Sequence, residues 1–139
     1  MSHHRALTLL LLAVSGIALA THAEAQQASN AERFAGSWSG TYDGAGTGPF
    51  ELMLDKSKDG AMTGRVAVMT DGGNYTADFK TVSFEGSKMS ATYDYPLDPS
   101  AEVVMTATFE GRSAKGTWLL RAKGQTDEVA SGGLTVTKK

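Results

Sequence analysis

The chain has 139 residues, with 13 basic and 15 acidic side chains, a net charge of −2 and no cysteine. That balance offers no basic surface for nucleic acid or anionic lipid. The missing thiols exclude disulfides, thiolate chemistry and a lipidated cysteine anchor.

Residues 1–25 carry the pattern of an export signal: Arg5 beside His3 and His4, an apolar run from Ala6 to Ala20, then Ala23-Glu24-Ala25. The run, about 15 residues broken by Thr8, Ser15 and Gly16, falls short of the roughly 20 needed to cross a bilayer. Cleavage after Ala25 is therefore expected, with no membrane span. Removing 25 of the 139 residues leaves 114, enough for one domain with a real core. The cut takes Arg5 and Glu24 together, so the net charge stays at −2. The expected location is the periplasm or the medium of a bacterium.

The same cut removes every histidine, since His3, His4 and His22 all lie in the signal. A mature chain without His or Cys cannot perform Ser-His-Asp or Cys-His catalysis, and it cannot build the usual zinc or copper sites. A noncatalytic protein without metal or cofactor is expected. Carboxylate pairs, Ser with Lys, and oxygen-ligand metals are the chemistries left open.

Residues 26–33 form a small, polar lead-in, read as a frayed terminus or one helical turn ending near Phe34. A single domain over 34–139 follows, in which period-2 alternation dominates. Trp38, Gly40 and Tyr42 share one face of the first strand. After the break Gly44-Ala45-Gly46-Thr47-Gly48-Pro49, Phe50, Leu52 and Leu54 mark the second strand, and Met62, Gly64, Val66 and Val68 the third. A fourth strand from Tyr75 to Phe84 changes phase, since Tyr75, Ala77 and Phe79 form one alternating set and Val82 and Phe84 another. A bulge or bend near Lys80 reconciles them. Met89, Ala91, Tyr93 and Tyr95 give a fifth strand, and Val103, Met105, Ala107 and Phe109 a sixth. Ala114, Gly116, Trp118, Leu120 and Ala122 give a seventh, and Leu134 and Val136 an eighth.

An internal repeat supports this reading. Phe84-Glu85-Gly86 through Tyr93 lines up with Phe109-Glu110-Gly111 through Trp118, and Asp59-Gly60 echoes the turn. Each acidic-Gly pair supplies the positive φ of a tight hairpin. Consecutive hairpins make a meander, and eight meander strands close most economically into an antiparallel up-and-down barrel without exposed edges.

Phe34-Ala35-Gly36-Ser37-Trp38 resembles the Gly-x-Trp start of calycin barrels, the lipocalin and fatty-acid-binding families, in which that Trp packs across the closed end. Gly36-Ser37-Trp38, Asp59-Gly60-Ala61-Met62-Thr63-Gly64 and Thr117-Trp118-Leu119-Leu120 are similar, in the same order, to strand segments of the avidin family. The biotin-contacting positions are not matched. Ser39-Gly40-Thr41-Tyr42-Asp43 stands where that family has Asn, Leu and Ser, and Arg65-Val66 follows Thr-Gly where it has Tyr; Trp118 alone matches a stacking position. The resemblance implies architecture only, and it pairs Trp38 with Trp118 at the closed end, with Arg121 as a cation-π neighbour.

Other motifs carry less. Asp55, Ser57 and Asp59 have the spacing of half a calcium loop, but Val66 stands where the bidentate Glu is required, so a hairpin turn is expected. Asp94, Asp98 and Glu102 flank the Pro96-Leu97-Asp98-Pro99 connection and are the carboxylates to weigh for glycoside chemistry. Gly44 to Gly48 lacks the Lys-Ser/Thr and the helix of a phosphate cradle. Asn74-Tyr75-Thr76 fits a glycosylation sequon.

The inward face is the functional clue. Gly40, Gly64, Ala77, Ala91, Ala107, Ala114, Gly116 and Ala122 either leave a lumen or make room for large neighbours. The first expectation is noncatalytic binding of a small apolar or amphipathic ligand in the lumen by Trp38, Tyr42, Tyr93, Met105 and Trp118. The alternative is a structural or protein-interaction module of the cell envelope with a filled core, using Met53, Met69 and Leu119 on its outer face.

Overall fold

The computed structural model describes residues 31–139; the expected signal and all of the lead-in before Ala31 lie outside the described residues. A 3-10 turn, Glu32–Phe34, precedes nine strands: β1 (Gly36–Tyr42), β2 (Gly48–Lys56), β3 (Met62–Val68), β4 (Tyr75–Asp78), β5 (Thr81–Glu85), β6 (Lys88–Asp94), β7 (Ala101–Glu110), β8 (Ser113–Ala122) and β9 (Glu128–Lys138). They form one antiparallel up-and-down sheet in the order β4-β3-β2-β1-β9-β8-β7-β6-β5. The sheet is held together in its middle by β1 and β9, from Trp38↔Lys138 to Tyr42↔Leu134.

The expected eight-stranded closed barrel is corrected to nine strands curled into a half-barrel, and one stretch of chain causes the difference. The segment read as a single fourth strand does bend where its phase changes. Val68 to Arg65 of β3 pair with Tyr75 to Asp78 of β4, whereas Thr81 to Glu85 of β5 pair with Thr92 to Lys88 of β6. The exchange of partners takes one peptide unit, because the Phe79 amide donates to Gly64 O at 2.9 Å and the next amide, Lys80, donates to Thr92 O at 2.7 Å. Each half is thus paired on one side only, and β4 and β5 become the two edges of the sheet. Strands of four and five residues keep those edges short, the usual defence against edge-to-edge association.

The three acidic-Gly turns form as expected, with φ of +89° at Gly60, +64° at Gly86 and +62° at Gly111. They put the β2–β3, β5–β6 and β7–β8 hairpins at one end, beside the 3-10 turn. That end is closed by aromatic rings. Phe34 stacks on Phe84 at 5.3 Å and lies 4.7 Å from Phe109. Trp38 meets Phe109 edge-on at 4.9 Å and donates its indole N–H to Phe34 O at 3.0 Å. Lys138 lies over the Trp38 ring at 5.8 Å.

The expected Trp38 and Trp118 pairing is therefore corrected. The alternation of β8 does turn Trp118 inward, but at the opposite end of the half-barrel, where it meets Tyr42 edge-on at 6.2 Å. Arg121 joins neither ring and pairs with Glu102 at 3.1 Å. Between the two ends Leu52, Leu54, Val66, Met89 and Val136 are fully buried. Gly40 and Gly116 permit backbone contact there, since a Cβ at either would fall 1.8 Å from the carbonyl oxygen of Thr135 or Thr106. Among the described residues no helix is long and apolar enough to cross a membrane.

Candidate functional site: a tyrosine-walled cavity at the open end

The β1–β2, β3–β4, β6–β7 and β8–β9 connections gather at the end away from the 3-10 turn. They surround a cavity of about 230 Å³. Its floor is aliphatic, from Val66, Val103, Met105, Leu120 and Leu134, and its walls are aromatic, from Tyr42, Phe50, Tyr75, Tyr93, Tyr95 and Trp118. Among the described residues, none of those lining it is charged.

The inward phase of each strand places these side chains. On β6 and β7, Tyr93 faces Val103 across the ladder and Ala91 faces Met105, and on β7 and β8 Met105 pairs with Trp118 and Val103 with Leu120. Tyr75 opens β4 opposite Val68, so its ring crosses the sheet edge toward β6. There the hydroxyls of Tyr75 and Tyr93 hydrogen-bond at 2.7 Å, and Tyr75 packs edge-on to Tyr95 at 5.6 Å.

Three of the six polar side chains of the wall are committed to the backbone. Tyr42 donates to Met69 O at 2.6 Å, Thr70 donates to Gly73 O at 2.7 Å, and the Trp118 indole donates to Asp43 O at 2.9 Å. Burial pushes the Tyr75 phenol up to about 12 and raises Tyr93 as well. Tyr42 is raised first by burial and then by the negative charge of Asp71 at the rim. All three stay protonated and neutral at physiological pH, as hydrogen-bonding groups in an apolar chamber.

Of the five residues expected to hold a ligand, Tyr42, Tyr93, Met105 and Trp118 line this cavity. Trp38 does not; it is wholly buried in the closed end. Tyr75, Tyr95, Phe50 and Leu134 line the cavity too, although the sequence reading placed them only in the general interior. For Tyr75 and Tyr95 the signal was available, because each inward tyrosine brings a hydroxyl that an interior must satisfy. None of the small residues taken as markers of a lumen touches the cavity. Gly64 stands beside the Phe79 ring, and Gly40 and Gly116 beside the carbonyls of Thr135 and Thr106.

The carboxylates weighed for glycoside chemistry are occupied elsewhere. Glu102 bonds Lys80 at 3.0 Å and Arg121 at 3.1 Å, and Asp94 bonds Lys80 at 2.8 Å and Lys123 at 3.4 Å. Asp98 accepts from the Ser100 hydroxyl at 2.6 Å and from its amide at 3.1 Å. Lys80 holds Glu102 and Asp94 below the ordinary carboxylate range, and the Ser100 hydroxyl does so for Asp98. A glycosidase acid needs the opposite shift. The half calcium loop is a hairpin turn, with Ser57 N donating to Ala61 O at 2.8 Å and the Ser57 hydroxyl bonded to Asp59.

On the outside, Met53 and Leu119 are half-buried, while Met69 is 54 % exposed, Leu97 44 % and Val129 73 %. All three exposed side chains sit at the open end. Comparison with protein-family models and with curated proteins returns no match, so the functional reading rests on the geometry of this cavity.

Proposed function

We propose that this chain is an exported, noncatalytic binding protein that takes one small apolar or amphipathic molecule into the open end of a calycin-like half-barrel. The observation that carries the reading is the open-mouthed cavity of about 230 Å³, lined by aromatic and aliphatic side chains and edged by hydroxyls. A dry cavity of about 150 Å³ already accommodates benzene. This one suits a one- or two-ring molecule or a short branched chain, below the roughly 300 to 1,000 Å³ of sites for drug-sized ligands. Trp38 packed behind Gly36-Ser37 at the closed end supports the calycin likeness.

The two tryptophans make the test internal, since Trp118 lines the cavity and Trp38 lies at the far end. Titration with 2-naphthol, followed by the two indole N–H resonances, is expected to move the Trp118 signal saturably with one-to-one stoichiometry and leave that of Trp38 in place. If neither signal moves, or both move without saturation, the reading fails. A second reading, an envelope module that docks a partner protein, has one observation in its favour, the exposed Met69, Leu97 and Val129 at the open end. Charged residues at all three positions would abolish such docking and leave 2-naphthol binding intact.

A further inference from the structure

We propose that the cavity selects an uncharged, ring-sized molecule bearing a hydrogen-bond acceptor, a ketone or similar carbonyl, and that the Tyr75–Tyr93 hydroxyl pair donates to it. This rests on the reading of the cavity as a binding site and adds the chemical class of its occupant.

Counting protons leads to the pair. Tyr42, Thr70 and Trp118 each have one polar hydrogen, and each donates it to a backbone carbonyl, while the Tyr95 hydroxyl, without a partner among the described residues, belongs to a half-exposed side chain in the β6–β7 connection, within reach of water. Tyr75 and Tyr93 bring two hydroxyl protons but share one hydrogen bond, at 2.7 Å. Whichever oxygen donates within the pair, the other hydroxyl keeps its proton, and no acceptor for it occurs among the described residues. A phenol O–H that faces an apolar chamber unpaired forfeits most of what it could gain from water or from an acceptor. A carbonyl oxygen supplies that acceptor, and the rest of the molecule fills the space between Trp118, Tyr42 and the aliphatic floor.

The surroundings set the charge of the occupant. Among the described residues no cation lines the cavity, so a carboxylate would lose its hydration without gaining a partner. The connections around the mouth carry exposed Asp43, Asp71, Asp98 and Asp127, and β9 begins there on exposed Glu128, whereas Lys123 is engaged by Asp94 at 3.4 Å. This rim repels anions before they arrive. The raised Tyr75 phenol stays protonated and able to donate at any physiological pH.

The test uses three molecules of one shape. Acetophenone, α-methylstyrene and benzoate share a phenyl ring and a planar three-atom head, and they differ in offering a neutral acceptor, no acceptor and a charged acceptor. Binding to the full chain is read from the Trp118 indole resonance. Acetophenone is expected to bind about five- to tenfold tighter than α-methylstyrene, and benzoate more weakly than either. The double variant Tyr75→Phe/Tyr93→Phe removes both partners of one hydrogen bond and orphans neither, so it is expected to fold and to bind ketone and alkene equally.

Equal affinities in the wild-type chain would overturn the proposal and leave the binding reading standing. Failure of all three to bind would sink both. Benzoate matching acetophenone would refute the charge argument, and a ketone preference surviving in the double variant would refute the assignment to this pair. Should the double variant not fold, the comparison of isosteres in the wild-type chain decides alone.

Discussion

Replacing Trp38 by alanine tests whether the closed end and the cavity are separate parts of the molecule. The indole is fully buried, its N–H donates to Phe34 O at 3.0 Å, its edge meets Phe109 at 4.9 Å, and Lys138 covers its face at 5.8 Å. Truncation of a buried Trp costs about 3 to 5 kcal/mol in transfer and cavity energy. Loss of the donor to the Phe34 carbonyl and of the edge-on pair places this site toward the upper end of that range. A domain of this size holds about 5 to 15 kcal/mol in all. With a urea m-value near 1.5 kcal/mol per molar, the midpoint followed by far-ultraviolet circular dichroism should fall by roughly 3 M. Below that midpoint the variant should bind 2-naphthol with wild-type affinity, because Trp38 lies outside the cavity lining. The milder Trp38→Phe, which keeps a ring but loses the N–H, should cost about 1 to 2 kcal/mol. An unchanged midpoint, or wild-type stability with binding abolished, would refute the separation and return Trp38 to the binding site.

Four further outcomes follow from other parts of the fold. Gly116→Ala should cost about 3 kcal/mol or more in a thermal melt, since the new Cβ would stand 1.8 Å from the Thr106 carbonyl and backbone atoms lie on both sides of the conflict. Gly111→Asn should stay within about 1 kcal/mol of wild type, because φ is +62° and nothing lies within 4 Å of the new Cβ. Lys80 holds Glu102 below its ordinary 4.5, so the stabilisation is complete above that value and is lost as pH falls through the folded one. The wild-type melting temperature should therefore drop below about pH 4.5, and Glu102→Gln should flatten that acid limb; parallel curves would refute the link. The tyrosine pair acts at the other extreme. Raised phenol values give stability that is full below the unfolded value of 10.0 and is lost as pH rises toward about 12. Phenolate absorbance from Tyr75 and Tyr93 should appear together with alkaline unfolding, and Tyr75→Phe/Tyr93→Phe should move that unfolding to higher pH.

The strands were legible because each has one buried and one wet face, and a period of two survives in Phe50, Leu52 and Leu54 or in Met89, Ala91 and Tyr93 without knowledge of neighbours. The hairpin turns were legible because Gly60, Gly86 and Gly111 must adopt positive φ. Even the bend near Lys80 showed as a slip of phase. Its consequence did not, because a phase slip marks a kink without saying which strand each half joins. That choice depends on Gly64 O and Thr92 O, the acceptors of the two amides, which lie far away in sequence. The cavity was hidden for a related reason. A small residue means empty space only where its neighbours across the sheet are also short, and Gly64 instead receives the Phe79 ring, with a Cβ there only 2.8 Å from Cδ2.

The better marker of the cavity is which aromatic side chains lie at each end. Around the 3-10 turn the rings are Phe34, Phe84, Phe109 and Trp38, and the one polar hydrogen among them is taken by the Phe34 carbonyl. Around the cavity stand Tyr42, Tyr75, Tyr93, Tyr95 and Trp118, all carrying a polar hydrogen. A phenylalanine ring gains from burial without condition, so it belongs where packing is complete. A tyrosine in the interior gains only if its hydroxyl is met, so four of them around one space demand backbone carbonyls, one another, water or a ligand. The backbone meets Tyr42, the pair meets half of its own need, and Tyr95 is half-exposed at the open end, within reach of water. What is left over is a donor inside an otherwise apolar chamber, and a chamber with one unspent donor and an acidic rim is more selective than an apolar hole of equal size. The division of labour between Phe and Tyr along the chain therefore encodes both which end is packed shut and what the other end is built to receive.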